Sequence, residues 1–487
     1  MRILFLLLSF CLTIAAGAQD FSGYRTGNYT GVNGVFYNPA NIADSRYRWD
    51  FNLFSVSTAI GNNKALFKLK DIGNTLDGDS IKNKIFAEGS GPSSGLASVV
   101  LQGPSVMFNL NKKSAMAVTT RARVMANIVD IDSKLARQII DDNAGNIGFP
   151  YTVSSATNMA VNANAWTEFG LSYAREILDK GKHYFKGGVS LKYLAGAANA
   201  SVNIGSLNGT INYDAVKNES YLTNASGRMG LNFGGINISD FEANDLLSFK
   251  STGFGADIGF VYEFRPDTAS LRNEWGEMRR DLNKYKLRVG VALLDVGGIS
   301  YTRDLSRSGA YNVHIGSTQR FYLSSLADAS LDHFKDTLNK YPQYFTEDKT
   351  ATASSYRISL PTTLQLDVDY RVNNGFYVNG AAQFGLTNTS KNIGNGQYYS
   401  SFTLTPRFET GGFGVYLPLG SNALTGFTGG LAIRFGNIIL GSGSILSALG
   451  GSKQADFFIG AHFGSKQKNK APKKNVSNDS NSSSVNQ

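Results

Sequence analysis

The sequence predicts an all-β chain: a transmembrane antiparallel β-barrel of about 14 strands with a short N-terminal plug segment and a few loop helices. Three observations predict it. Segments of strand length alternate apolar and polar residues. The first 18 residues read as an export signal. Beyond them no apolar run approaches the ~18 residues that a spanning helix needs.

The alternation is clearest where Phe254, Ala256, Ile258, Phe260, Tyr262 and Phe264 are interleaved with Gly255, Asp257, Gly259, Val261 and Glu263. One face is greasy and aromatic, the other small or charged, and a period of two belongs to a strand with two different surroundings. The pattern returns with Trp49, Phe51 and Leu53, with Met116 to Val124 around Arg121 and Arg123, and with Phe185 to Tyr193. It returns again with Leu287 to Leu293, with Leu364 to Tyr370 around Asp367 and Asp369 and followed by Arg371, and with Phe457 to Phe463. These segments run to about 9–13 residues, near the ~9–11 of a tilted membrane strand and beyond the ~5–6 usual in a soluble sandwich. The polar face is often Gly, Ser, Asn or Ala, as a crowded or wet lumen requires. An even strand number puts both ends of the barrel on the periplasmic side. Composition agrees: 53 Gly, 31 Phe and 23 Tyr stand against 10 Pro, and a mean hydropathy of -0.17 suits a chain in which only alternate residues meet lipid.

In the leader, Arg2 is the basic region, Ile3 to Ala15 the apolar region, and Ala16-Gly17-Ala18 the small-residue cleavage site, leaving Gln19 first. The single cysteine, Cys11, lies within the apolar region. The processed chain therefore has no disulfide, thiol nucleophile or cysteine metal site. The expected organisation is a signal peptide at 1–18, a plug or hatch-like segment at 19–47, the barrel at 48–464 and a disordered basic periplasmic tail at 465–487. The tail is rich in Lys, Ser and Asn and has no aromatic residue to bury. The formal charge of +10 falls to +9 without Arg2. Five tail lysines against Asp479 account for +4, leaving about +5 on the body. With aromatics at strand spacing and no basic cluster, no nucleic-acid partner is expected.

Four interruptions have helical spacing: Ile131 to Asp142, Ser239 to Ser248 with Ser239 and Glu242 as a capping-box pair, Ser270 to Lys284, and Asp328 to Lys340. They are expected to cap the sheet ends in loops.

No catalytic, cofactor-binding or metal site is expected, and no cofactor. His183, His314, His333 and His462 are scattered and form no close pair. Gly91-Pro92-Ser93-Ser94-Gly95 matches a nucleophile-elbow pattern, but that mechanism needs a strand, a sharp turn and a helix, and Leu96 to Leu101 reads as a strand. Arg121, Arg123, Asp257, Glu263, Asp367, Asp369 and Arg371 are the lumen-facing candidates. They pair across strands or line a solute path.

The stretch from Thr30 to Asp44, TGVNGVFYNPANIAD, with its Asn38-Pro39-Ala40 before the first strand, resembles the N-terminal region of FadL-like and PorV-like barrels. Gly255-Ala256-Asp257-Ile258-Gly259 and Leu293-Leu294-Asp295-Val296-Gly297 add to the likeness. Overall the chain is most similar to a group of exported outer-membrane barrels, of uncharacterised role, related to both. FadL-like barrels carry hydrophobic molecules, with the N-terminal segment folded inward as a hatch. PorV-like relatives serve protein export and surface attachment. The resemblance implies a plug over roughly Asp20 to Arg46, with Asn38, Pro39 and Ala40 at a turn into strand one. Proline fixes its own φ and drives the residue before it toward extended backbone, which favours a turn there.

Two functions follow as expectations. One is a plugged channel or transporter for small, possibly hydrophobic, molecules, with a pocket lined by Phe and Leu between hatch and wall. The other is a non-conducting scaffold for secretion or surface assembly, with a sealed lumen and large ordered loops. The expected setting is the outer membrane of a Gram-negative bacterium. The expected partners are membrane lipid, the barrel-assembly machinery, and a small hydrophobic solute or an envelope protein.

Overall fold

The computed structural model describes residues 20–71, 91–140, 148–154, 158–237, 242–327, 333–349, 353–387 and 394–468. The leader, and the tail from 469 onward, lie outside them.

One antiparallel sheet closes on itself as a barrel of fourteen strands. The first strand, Tyr47–Asn62, pairs with the last, Gln454–Lys466, in a register running from Tyr47 opposite Lys466 to Gly61 opposite Gln454. The chain therefore enters and leaves the barrel at one end. Closure removes the open edges that hydrocarbon does not tolerate.

Along each strand the burial pattern inverts that of a soluble protein. In Thr363–Arg371 the side chains of Gln365, Asp367 and Asp369 are buried, while Leu366, Val368 and Tyr370 are exposed. Leu191 and Phe254 are 66% and 72% exposed. This apolar outer belt continues around the barrel through Leu171, Val289, Phe402, Ile433 and Phe457. It is far more greasy surface than a water-soluble monomer leaves open, and lipid is the solvent that favours it.

The second strand is interrupted. Its pieces, Ser93–Gln102 and Ser105–Asn109, are separated by Gly103 and Pro104. Proline lacks the donor a ladder needs, and the Asn52 side-chain amide instead donates to the carbonyls of Gln102 and Gly103 at 2.9 and 3.0 Å. The first strand shifts register against the last between Asn52 and Phe54 at the same level.

Most connections at the end that holds both barrel termini are tight, as at residues 180–182 and 410–412. One is long. Residues 265–286 form no helix between Ser270 and Lys284, where a helix was expected. Gly276, in the left-handed region at φ +74°, and a bridge between Arg272 and Met278 fold the segment back on itself. It reaches the second strand through Arg280 and Asn109, 3.1 Å apart.

At the opposite end the fifth strand, His183–Asp214, has 32 residues, about three times what crossing takes. Its outer half, from Ala198, pairs with Glu219–Gly235, which in turn pairs with Gly309–Ile315 and so leads to Phe345–Glu347. Helices at Ser133–Ile140, Ser324–Ala327 and Phe334–Asn339 cover this extension, enclosing an apolar core that includes Leu207, Leu231, Phe321 and Leu338. Two of the expected helices thus fall within this layer, in part: Asp141 and Asp142, and residues 328–332, lie outside the described residues. So does Ser239. The turn that follows it, Ala243–Leu247, is capped reciprocally by Glu242 and Asp245.

Candidate functional site

Residues 20–46 lie inside the barrel as three short 3-10 turns, Tyr24–Thr26, Gly31–Phe36 and Pro39–Ile42. Gly23 and Gly31 occupy the left-handed region, which breaks the chain into tight turns rather than one helix. Apolar residues anchor two levels of this plug. Phe21 and Tyr24 pack on Tyr416 and Phe458. Val32, Val35 and Ile42 pack on Met107, Ala115, Ala117 and Ala174.

Between these anchors the contacts are polar and discrete. Asn28 donates its backbone and side-chain N–H to Glu409, the latter at 2.9 Å. Asn33 donates to Asn52 Oδ1 at 3.1 Å and Ser55 Oγ at 3.3 Å. Arg25 reaches Gln383 at 3.3 Å. The Val32 N–H donates to Asp50 at 2.8 Å. The other oxygen of Asp50 meets His462 Nδ1 at 2.8 Å, and Tyr24 Oη lies 3.3 Å from His462 Nε2.

Asn38, Pro39 and Ala40 sit at the turn before strand one. Asn38 caps it, accepting from the Ala40 N–H at 3.0 Å. Its amide donates to the carbonyls of Phe260 and Val291, each at 3.2 Å, so one side chain both shapes the plug and ties it to two wall strands. The floor beneath is glycine. A Cβ on Gly259 would stand 2.2 Å from Asn38 Oδ1, and one on Gly188 would stand 2.6 Å from the Pro39 and Ala40 backbone.

The lumen-facing candidates fall into separate networks. Arg121 and Arg123 share one network with Asp257, through Asp295 and Lys192, and contact no other candidate. They converge on Glu168, at 2.7 Å from Arg121, and on Asp295, at 3.1 and 2.9 Å. Asp257 pairs with Lys192 at 2.7 Å and accepts the Asp295 N–H at 2.7 Å. Lys192 also meets Asp295 at 2.5 Å. Asp295 reaches this position through a bulge in its strand, with φ +60°. Glu263 pairs with Arg265 at 2.6 Å. Asp369 takes a two-pronged grip from Arg407 at 2.8 and 2.6 Å, and Arg407 also holds Glu409 at 2.9 Å. Asp367 is 3.8 Å from Arg288. Arg371 stands apart at the barrel end that holds both termini, donating to the Asn283 carbonyl at 2.7 Å.

Sequence reasoning missed Glu168, Lys192, Arg288, Arg407 and Glu409, which lie on the polar faces of strands whose alternation could have been followed further. It missed Asp295 because a bulge breaks the count. Ser93, the residue of the elbow pattern, opens a strand and lies 2.7 Å from Ser133 Oγ, without the helix that the elbow needs.

At the plug base Asp44 collects cations: Lys284 at 2.6 Å, Arg265 at 2.9 Å, Arg46 at 3.4 Å and Arg280 at 3.8 Å. Burial alone would raise its pKa, but Lys284, Arg46, Arg265 and Lys186 together hold the carboxyl well below the usual range. Lys284 moves the other way. Burial, helped by repulsion from Arg46 and Arg265, outweighs the attraction of Asp44 and pushes it down to about 8. The two partners differ because one carboxylate is shared among several cations that repel each other.

One cavity inside the barrel, about 60 Å³, is bounded by Asp20, Arg25, Gln102, Arg121, Gln365 and Tyr398 among others, and adjoins the interruption at Gly103. At ~10–15 Å³ per water it holds roughly five. Its walls also carry Phe21, Phe36 and Leu294, so the Phe- and Leu-lined character expected of a hydrophobic carrier is present in part, mixed with charge.

A closed fourteen-stranded barrel with an apolar outer belt, a charged lumen and its own N-terminal segment as a plug is a transmembrane barrel of the outer-membrane type. Its sequence places it more narrowly. The chain belongs to the family of unknown function DUF5723, which matches residues 39–443. Among curated proteins none matches. Among solved structures, similarity extends to a FadL homologue of Pseudomonas aeruginosa, with TM-score 0.43 and 11% identity over 91% of this chain and 96% of that one. It extends also to the Ralstonia pickettii toluene transporter TbuX, with TM-score 0.38 and 10% identity over 93% and 99%, and to the Pseudomonas putida toluene transporter TodX, with TM-score 0.32 and 10% identity over 91% and 95%. At these scores the likeness says nothing about activity.

Proposed function

We propose that the protein is a gated barrel of the Gram-negative outer membrane, exported through a cleaved leader and inserted by the barrel-assembly machinery. In this reading the N-terminal plug controls passage of a small solute, and the conformation described above is the shut one. The supporting observation is the make-up of the plug–wall contact. Much of it consists of single hydrogen bonds, at Asn28, Asn33 and Asn38. Each exchanges for a bond to water at a net ~0.5–1.5 kcal/mol, so the polar stretches of the plug between its two apolar anchors can let go in steps. A drug-sized solute needs roughly 300–1,000 Å³, far more than the cavity of about 60 Å³ offers, so passage requires that shift. The interrupted second strand is the natural entrance. Leu53, Phe54 and Leu101 are exposed on its lipid side, and Gln102 and Asn33 line the cavity behind it. A solute apolar enough to arrive from the lipid and polar enough to bond inside fits best.

Planar-bilayer recording tests this. The parent protein is expected to be nearly silent, Asn38→Ala to conduct in discrete steps, and an Asn33→Cys/Ser55→Cys disulfide to silence that variant. Silence of all three counts against gating by the plug.

A specific observation favours a second reading. The layer outside the barrel has its own apolar core, more structure than sealing a strand end requires, and suits a scaffold that docks an envelope protein. Co-purification from intact envelopes, with and without residues 309–347, separates the two. A partner lost with that layer supports the scaffold.

A further inference from the structure

We propose that the base of the plug is a binding site for one small inorganic oxyanion of about phosphate size, which joins the plug, the fifth strand and the long connection at residues 265–286.

The first argument is charge. A cavity of about 40 Å³ lies beneath the plug, with Asn41 and Asn283 among its walls. Four cationic side chains line it, Arg46, Lys186, Lys284 and Arg288, against two carboxylates, Asp44 and Glu263. Widening the boundary does not remove the surplus of two. Bringing in Arg265, Arg280 and Arg407 together with Asp367, Asp369 and Glu409 leaves seven cations facing five acidic groups, and Arg407 is already shared between Asp369 and Glu409. Arg46, Lys186, Lys284 and Arg288 are each less than a tenth exposed. Buried cations without matching anions are costly, and an anion between them is the direct remedy.

The second argument is hydrogen bonding. An ammonium has three donors. Lys186 uses one, on the Ala43 carbonyl at 2.6 Å, and among the described residues no carboxylate oxygen lies within ion-pair distance of it. Lys284 uses one, on Asp44 Oδ1 at 2.6 Å. The carboxylates have less to give. Asp44 Oδ2 is taken by Arg265 at 2.9 Å, and Glu263 Oε2 is taken twice by the same guanidinium. Asn28 Oδ1, also on the wall, already accepts from Tyr285 at 2.7 Å. Apart from Glu263 Oε1, the carboxylate oxygens of the cavity are spent while its ammonium donors are not, the reverse of a cation site. The depressed ammonium of Lys284, which results from burial and from its cationic neighbours, agrees with this.

The third argument is size. At ~10–15 Å³ per water the space holds roughly three. That admits a small oxyanion and excludes a phosphate ester that carries glycerol or acyl chains.

The test uses the full-length processed protein in neutral detergent, exchanged into buffer of constant ionic strength whose only anion is bulky gluconate. Inorganic phosphate is titrated by calorimetry and by thermal unfolding. Saturable binding at one site per chain is expected, with a rising unfolding temperature and at least tenfold weaker binding by Lys186→Gln. In gluconate alone Lys186→Gln is expected to unfold at a higher temperature than the parent, because it removes an uncompensated charge. A merely structural lysine would lower the temperature equally in both buffers, and that result overturns the proposal. So does absence of saturation in the parent protein, which needs no variant to fold. Binding of glycerol phosphate as tight as that of inorganic phosphate overturns the size limit and points to a lipid headgroup.

Discussion

Asn38→Ala isolates what holds the plug. The change removes the cap on the Ala40 N–H, worth about 0.5–2 kcal/mol, and two side-chain bonds to the Phe260 and Val291 carbonyls, worth about 0.5–1.5 kcal/mol each. Wall and plug keep their other contacts, so the loss should fall on plug seating, at about 2–3 kcal/mol. At 1.4 kcal/mol per tenfold, the unseated fraction rises roughly 30- to 150-fold. Cys11, the chain's single cysteine, lies in the leader. Val35→Cys, at a position buried within the plug, therefore gives a unique reporter after processing. When reseating outpaces labelling, the maleimide rate follows the unseated fraction. Asn41→Ala serves as the control, since its amide bonds only to Gly34 within the plug. A rate for Asn38→Ala within twofold of the parent would refute the role given to this side chain.

Other expectations follow from the same geometry. Asp44→Asn breaks a buried ion cluster and should loosen the plug by about 3–5 kcal/mol, read by the same labelling. Because the Asp44 carboxyl titrates below its unfolded value of ~3.9, its contribution is complete above about pH 4 and is lost as pH falls through the folded value. Because the thiolate is the reacting species, the rate is divided by that of a free thiol at the same pH; the ratio should stay level from pH 7 to 5 and rise below about pH 4, and Asp44→Asn should lack that rise. Asp295→Asn keeps a residue that tolerates φ +60° and removes the charge facing Arg121, Arg123 and Lys192. A fall of about 3–5 kcal/mol in denaturant stability locates the cost in the charge, and no fall locates it in the backbone. Leu191→Arg, on the exposed belt, should cost about 2–4 kcal/mol near the membrane midplane in refolding into vesicles. A neutral result contradicts a lipid-facing position.

The barrel wall was legible because lipid and lumen impose opposite demands on alternate residues, and Asp257, Asp367 and Asp369 report the inner face at a period of two. Pairing was not legible, since it depends on which strands become neighbours. Arg123 and Asp295 are 172 residues apart in sequence and meet only in the closed sheet. The bulge at Asp295 shifts the count there, so its carboxylate reaches a face that strict alternation would deny it. The plug was marked by Asn-Pro-Ala and not by periodicity, because short 3-10 turns have no repeating face. Asp44 and Arg46 fell within the expected plug, but nothing in the sequence marked them as a charge centre. The outer half of the fifth strand, beyond Tyr193, was not marked, because Ala195 to Ala200 carries too little size contrast to show two faces. His462 gave no signal at all, because its partners Asp50 and Tyr24 lie at the other end of the chain.

That last arrangement has a consequence for assembly. Tyr24 is delivered to the membrane before any strand of the barrel, yet the imidazole it meets belongs to the final strand and is held by a carboxylate of the first. The contact cannot exist until both ends of the polypeptide have met and zipped. Insertion of the earliest residues is thereby completed only by the latest, and a chain stalled before its last strand would keep its interior unsealed.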